Sequence, residues 1–312
     1  MYLSVLVKIS GSIILVTILV NKIDMQMFLK NIHRVHPGIV LGSFFMYAIS
    51  VVIGALKWKQ FLKDVRLASL LGTCFKAQFY STILPGQLFG EASKVATLYN
   101  KEKNTSQIAA SVIADKLTSL ISTVIVGFMG LFMSSIILPS SIMWIFIFSC
   151  IILISFLFIP RISAVDRIMM LTIEQNYNGE KTFLKKIKNV IESIYSGWKE
   201  YVFQRKILLN ALLLGAANQM IGVVQIYFIA QALDIIVPFF EYMWMIPMTS
   251  FILLLPISFG GLGLRDVSLV GFLGLFSVAG EKGTMVSVII LSSQILSACV
   301  GGILVLLRAS ID

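Results

Sequence analysis

Apolar runs of helix-spanning length recur along this 312-residue chain, and they restrict what it can fold into more than any other feature. A helix needs about twenty mostly apolar residues to cross the hydrocarbon of a bilayer. Candidate spans lie at 3–20, 39–56, 108–133, 142–159, 207–233, 239–255, 267–278 and 285–307, the seventh being short and extendable at both ends. A further apolar stretch at 67–84 runs straight into Pro85-Gly86. Composition leads to the same class: charged residues make up 13% of the chain and hydrophobic residues 58%. Soluble domains carry about 25% charged residues to cover their water-facing surface. The expected fold is an all-α polytopic membrane domain over 1–312, with about eight transmembrane helices plus a re-entrant hairpin. The longest polar stretch, 161–206, is too short for a sizeable soluble catalytic domain.

The net charge of +10 would suggest nucleic acid as a partner in a soluble protein. In a membrane chain it reads instead as basic cytoplasmic loops facing anionic headgroups, with no nucleic-acid partner. Lys57, Lys59, Lys63 and Arg66 cluster after the second span, and 161–206 is rich in lysine, whereas 134–141 is uncharged and 234–241 holds only acids. Basic loops inside give cytoplasmic N- and C-termini in a plasma (inner) membrane protein. The same bookkeeping makes 67–99 enter and leave on one side. The 21–38 connection is the exception, carrying Lys22, Lys30 and Arg34 on the outside. Trp58, Trp144 and Trp244 fall near the expected interfaces. The first run contains Lys8 and Gly11 without a small-residue cleavage site, and reads as a span, not a cleaved signal. Within 161–206, which reads as a cytoplasmic connector, Phe183, Ile187, Val190, Ile191, Ile194 and Trp198 recur at helical spacing. That pattern fits an amphipathic helix on the leaflet surface or a solvated connector.

Two apolar runs are broken by Pro and Gly, at Pro85-Gly86-Gln87-Leu88-Phe89-Gly90-Glu91-Ala92-Ser93-Lys94 and at Pro256-Ile257-Ser258-Phe259-Gly260-Gly261-Leu262-Gly263-Leu264-Arg265. With the prolines aligned, Gly90 matches Gly261 and Lys94 matches Arg265. Paired broken segments are the sequence signature of internal repeats around a transport site. The halves would be about 1–160 and 207–312. Pro stops a helix and Gly permits close or left-handed backbone. Such backbone survives at membrane depth only where protein or a wet cavity covers it. A helix restarting after each break would aim its N–H groups and positive end at that cavity, with Lys94 or Arg265 adding a full charge. A packing kink is the alternative for either break taken singly.

Lys76, Glu91, Lys94, Asp115, Lys116, Arg265 and Asp266 all lie in or beside apolar segments. Each costs about 3 kcal/mol at a helix centre, so seven unpaired charges would cost on the order of 20 kcal/mol, beyond the stability of most domains. They must pair, approach the interface or line a polar cavity. Glu91 and Lys94 share a helical face and can pair. Asp115 is a partner for Lys94 or Arg265, with interfacial placement of Asp115-Lys116 as the alternative. Asn218, Gln225, Ser292, Ser293, Gln294 and Ser297 read as hydrogen-bonding links between helices, with cavity lining as the second reading. No phosphate loop is present, and Gly260-Gly261-Leu262-Gly263 lacks the strand–helix context of a dinucleotide site. The apolar settings of Cys74, Cys150 and Cys299 argue against disulfides, and His33 and His36 make a poor metal site. No metal or cofactor is expected.

At these residues the chain resembles the lysylphosphatidylglycerol synthase transmembrane region, also called the flippase-like domain family. Leu84 to Glu91, the Ala114-Asp115-Lys116 step, Pro256 to Asp266 and Gly54-Ala55-Leu56-Lys57-Trp58 carry the likeness, which covers nearly the whole chain. The family pattern has Asp then Arg where this chain has Glu91 and Lys94, and Arg in place of Lys116. These exchanges keep charge but lose the bidentate fork of Arg. The resemblance implies a lipid translocase, a transporter rather than an enzyme, moving an anionic-headgroup lipid between leaflets. That lipid would be a phospholipid or a polyprenyl-phosphate-linked sugar. The aminoacyltransferase activity of multidomain relatives is not expected, because their soluble synthetase domain is missing from this sequence. Arg265 and Lys94 would hold the phosphate, with Glu91, Asp115 and Asp266 balancing them and open to proton coupling. Gly90, Gly261, Ser258 and Gln87 complete the candidate substrate-binding set. Partners would be the lipid and cell-envelope glycan or lipid biosynthesis proteins, with oligomerisation left open. The alternatives are a membrane-embedded transferase using Glu91 or Asp115 as base, and a noncatalytic member of an assembly machine.

Overall fold

The computed structural model describes residues 35–83, 87–98, 105–134, 203–253 and 263–309, with Thr17 and isolated positions between 143 and 201. The expected spans at 3–20 and 142–159, the Pro-containing segments 84–86 and 254–262 and most of the connector lie outside the described residues.

The described elements are helices: α1 (Pro37–Lys59), α2 (Leu67–Ile83), α3 (Gln87–Leu98), α4 (Thr105–Met133), α5 (Arg205–Ala232), α6 (Phe239–Ile252), α7 (Leu264–Gly274) and α8 (Gly280–Ala309). Helix α1 begins where Pro37 supplies a preset φ, and His36 caps it by accepting from the Gly38 N–H at 3.1 Å. His36 is therefore a helix cap and not a ligand candidate. One face of α1, through Leu41, Phe45, Ile49 and Val52, stands exposed. Such a stripe on a water-soluble protein would be an aggregation site, and in a bilayer it is the lipid-facing surface. Helices α1, α4, α5 and α8 are long and apolar enough to cross a membrane. Together with the composition they make this a multi-pass α-helical membrane protein.

Helices α6 and α7 are 14 and 11 residues long. At the α-helical rise they reach only about 21 and 16 Å, short of the roughly 30 Å hydrocarbon. The runs 239–255 and 267–278, counted as spans from hydropathy, are thus occupied by two short helices either side of the Pro-Gly break. The first break is built alike, with short helices α2 and α3 packed against each other.

Long helices pack in reciprocal fashion. Helix α1 lies antiparallel on α5: Ser43 meets Gln225 while Ser50 meets Asn218. Helix α8 packs on α2 and α1, and α4 packs on α6 and α5. Glycines allow the tightest approaches. A Cβ on Gly130 of α4 would lie 2.7 Å from the Trp244 nitrogen of α6, and one on Gly301 of α8 would collide with the Phe75 carbonyl of α2. Close backbone approach of this kind suits membrane helices, which gain little from the hydrophobic effect when they associate.

Trp58 and Trp244 are fully buried. The Trp58 indole donates to Ser111 of α4 at 3.1 Å and so links two helices, and the Trp244 indole donates to Glu241 within α6 at 2.6 Å. Neither floats at the headgroups, whereas Trp144 is exposed. Trp198, expected on a leaflet-facing helix, is buried with Tyr201 against α1, α4 and α5, where Tyr201 stacks edge-on to Phe61.

Candidate functional site

Helix α1 carries a second stripe opposite its lipid face. Ser43, Tyr47, Ser50, Gly54 and Lys57 follow one another at steps of four and three, which keeps them on one side of the helix. Four of them, Tyr47, Ser50, Gly54 and Lys57, border a cavity of about 500 Å³ among α1 to α5 and α8. Its walls also include Gln78, Gly90, Glu91, Lys94, Asp115 and Gln294.

The charges converge on Asp115. Lys57 Nζ lies 3.0 Å from Asp115 Oδ1, and Lys94 Nζ lies 3.5 Å from Oδ2. Lys94 also reaches Glu91 at 2.8 Å, one helical turn back on α3. Lys57 further donates to the Asp115 carbonyl at 2.7 Å and to the Ser119 hydroxyl. Lys94 Nζ stands 5.3 Å from the centroid of Trp58, adding a cation–π contact. The result is a chain of four alternating charges, Lys57–Asp115–Lys94–Glu91, that joins α1, α4 and α3. Lys57 is only 3% exposed and Asp115 7%. Losing one partner would strand a buried charge, which is why such groups come in matched sets.

Sequence spacing identified the Glu91–Lys94 pair and offered Asp115 as a partner for Lys94 or Arg265; the geometry selects Lys94. Lys57 was missed. Counted among the loop lysines that orient the chain, it sits inside the last turn of α1 and turns back into the bundle. The polar stripe of α1 was the signal that would have found it.

Arg265 does not join this network. Its guanidinium bonds to Asp266 Oδ1 through Nη2 (2.8 Å) and Nε (3.1 Å), and Nη1 donates to Gln294 Oε1 at 2.7 Å. Gln294 borders the cavity, so Arg265 stands one side chain behind the wall. Asp266 has a local task as well. Gly263 takes a left-handed φ of 79° before α7, and its N–H donates to Asp266 Oδ2 at 2.9 Å, so the carboxylate closes the exposed start of the helix.

A helix does restart after each Pro-Gly break. Helix α3 is already running at Gln87, which puts Gly90 in its first turn. Glycine is needed there for contact: a Cβ would stand 2.9 Å from both the Ala77 carbonyl and Ser81 Cβ of α2. Helix α7 begins at Leu264. Ser258 and Gly261 lie outside the described residues.

The polar residues of α5 and α8 divide between the two readings. Gln225 donates to Ser43 at its carbonyl (3.1 Å) and hydroxyl (2.9 Å), and Ser43 also meets Ser293 at 2.7 Å, a buried link among three helices. Asn218 accepts from Ser50 at 2.8 Å and borders the cavity. Among the described residues no group of three or more His, Cys, Asp or Glu side chains could hold a metal ion.

The family described as the lysylphosphatidylglycerol synthase TM region matches residues 5–301 of the chain. A UPF0104 membrane protein of Pyrococcus horikoshii is 31% identical over 118 residues, which is 36% of this chain and 35% of the relative. The match thus spans about a third of that relative's length. No solved structure matches the chain significantly.

Proposed function

This chain belongs to the lysylphosphatidylglycerol synthase transmembrane-region family, a membrane-lipid family, and on that premise we propose that it is a lipid translocase. An anionic headgroup enters the cavity while its tails remain in the bilayer. The observation that carries this reading is the Lys57–Asp115–Lys94–Glu91 chain. A buried, self-neutralising ion network beside a 500 Å³ cavity is an expensive feature inside an apolar bundle, and ionisable groups at membrane depth characteristically mark a substrate path. Lys94 and Glu91 lie on the short helix α3, so an arriving headgroup can exchange for the Lys94–Asp115 contact without disturbing the long helices. Arg265 and Asp266 form the second charged pair, coupled to the cavity through Gln294.

The same reading includes an internal duplication in which α1, α2, α3 and α4 correspond to α5, α6, α7 and α8. Three observations support it. Pro85 and Pro256 are 171 positions apart, and the same interval separates Gly130 from Gly301 and Ser122 from Ser293. Gly130 packs on α6 and Gly301 on α2, which are corresponding helices. Ser122 bonds to Leu212 of α5, and Ser293 to Ser43 of α1. Because α1 and α5 are antiparallel, the halves are inverted, and the short-helix pairs α2–α3 and α6–α7 enter from opposite faces. The membrane would then be crossed by the four long helices plus the segments at 3–20 and 142–159. Both termini remain cytoplasmic, as the basic loops require.

The experiment is transbilayer movement of a fluorescent phosphatidylglycerol in vesicles containing the purified full-length protein. Asp115→Asn and Arg265→Ala should each abolish accelerated movement while the protein keeps its helical content. Wild-type rates from either variant, or no acceleration by the wild type, would refute the translocase reading.

A further inference from the structure

The charges around the cavity are not all spoken for. Among the described residues three ammonium groups border it, those of Lys57, Lys94 and Lys116, against two carboxylates, Glu91 and Asp115. Lys57 and Lys94 hold both carboxylates between them. Arg265, behind the wall, is held by Asp266. Lys116 borders the same cavity, and no described residue pairs with it. It follows Asp115 directly on α4, so it lies about 100° round the helix from the side chain that anchors the network. Two consequences follow from Coulomb's law. A phosphate entering the cavity finds one cation that need not first be stripped from a carboxylate. An ammonium-bearing headgroup finds no free carboxylate, since each of the two already bears a lysine.

The remaining polar lining among the described residues is uncharged. Asn218 uses its Oδ1 to accept from Ser50, which leaves its N–H groups as donors at the wall. Gln78, Ser81, Thr82 and Tyr47 add amide and hydroxyl groups. Such groups suit hydroxyls, which both donate and accept.

We propose that Lys116 takes the phosphate of the transported lipid, and that the rest of the headgroup is an uncharged polyol or sugar, not an ammonium-bearing group. This rests on the translocase reading for its setting and sharpens its substrate class. Lys57 positions Asp115, Lys94 keeps its exchangeable contact with Asp115, and Lys116 is the cation that determines specificity. A glycerol phosphate from a phospholipid and a sugar phosphate on a polyprenyl chain present the same chemistry to this wall.

The test separates binding from movement. Thermal unfolding of the detergent-purified full-length protein is followed against sn-glycerol 1-phosphate and against phosphoethanolamine. Glycerol phosphate should stabilise the wild type and K116R at lower concentration than phosphoethanolamine does. K116Q should need roughly tenfold more or beyond, the loss expected for one charge-assisted contact. Equal response of K116Q and wild type, equal response of the wild type to both probes, or no response to glycerol phosphate would each overturn the proposal. Vesicle assays with fluorescent phosphatidylglycerol and with a polyprenyl-phosphate hexose then report movement. Crossing of either one, reduced in K116Q, is the expected result and names the source of the phosphate. Binding that depends on Lys116 without crossing of any lipid would sink the translocase reading and leave the phosphate site standing.

Discussion

The Lys57 ammonium holds Asp115 twice, by an ion pair of 3.0 Å to Oδ1 and a hydrogen bond of 2.7 Å to the backbone carbonyl of the same residue. One side chain thereby fixes both the rotamer of the aspartate and the position of the α4 backbone that carries it. Helices α1 and α4 share little other surface, so this contact is where their separation is determined.

Lys57→Met should destabilise the protein by about 3 kcal/mol, because Asp115 is left buried with Lys94 as its one remaining described partner. Thermal unfolding in detergent measures this. The double variant Lys57→Met, Asp115→Asn should regain a good part of the loss, since it removes the stranded charge. A double variant no more stable than the single one would show that the cost lies in packing and not in charge.

Gly90→Val should separate α2 from α3, as its side chain has no room beside Ala77 and Ser81. Overpacking of this kind costs about 1–3 kcal/mol. Lipid movement should fall further than stability does, because Glu91 and Lys94 ride on the displaced helix. Gly90→Ala should give an intermediate loss. Wild-type movement in Gly90→Val would remove the hairpin from the transport path.

Gln225→Leu keeps the side-chain volume but deletes both bonds to Ser43. A loss of about 1–2 kcal/mol is expected, with the selectivity between phosphate-bearing lipids unchanged. Altered selectivity would mean that this buried link reaches the cavity after all.

The inverted-hairpin arrangement predicts how the second break meets water. In a cysteine-free background, Ser258→Cys should resist membrane-impermeant maleimide applied from the cytoplasmic side of oriented vesicles, whereas Lys63→Cys should react. Equal labelling of the two positions would restore 239–255 and 267–278 as separate spans with a cytoplasmic loop between them.

Apolar run length alone identified the solvent, and the four long helices lie where those runs predicted. The reason is energetic: in hydrocarbon each backbone amide must be satisfied within its own segment, so about twenty apolar residues leave little alternative to a helix. Spacing along one helix also revealed the Glu91–Lys94 pair, which depends only on the helical repeat. Hydropathy does not distinguish a crossing helix from two short ones flanking a break, because an apolar run does not report where a helix within it ends.

The remainder of the site depends on which helices meet. Lys57 and Asp115 are 58 residues apart, and Arg265 and Gln294 are 29 apart. Local periodicity carries no information about such pairs. Lys57 looked like a topology signal because a lysine at a helix end ordinarily reaches for the headgroups. Packing of α5 and α4 around the end of α1 closed that route and turned the same charge inward. The chain thus specified its helices and its solvent residue by residue. Assembly of the bundle determined which of its scarce charges became a site, because a buried charge takes whatever partner the packing brings within reach.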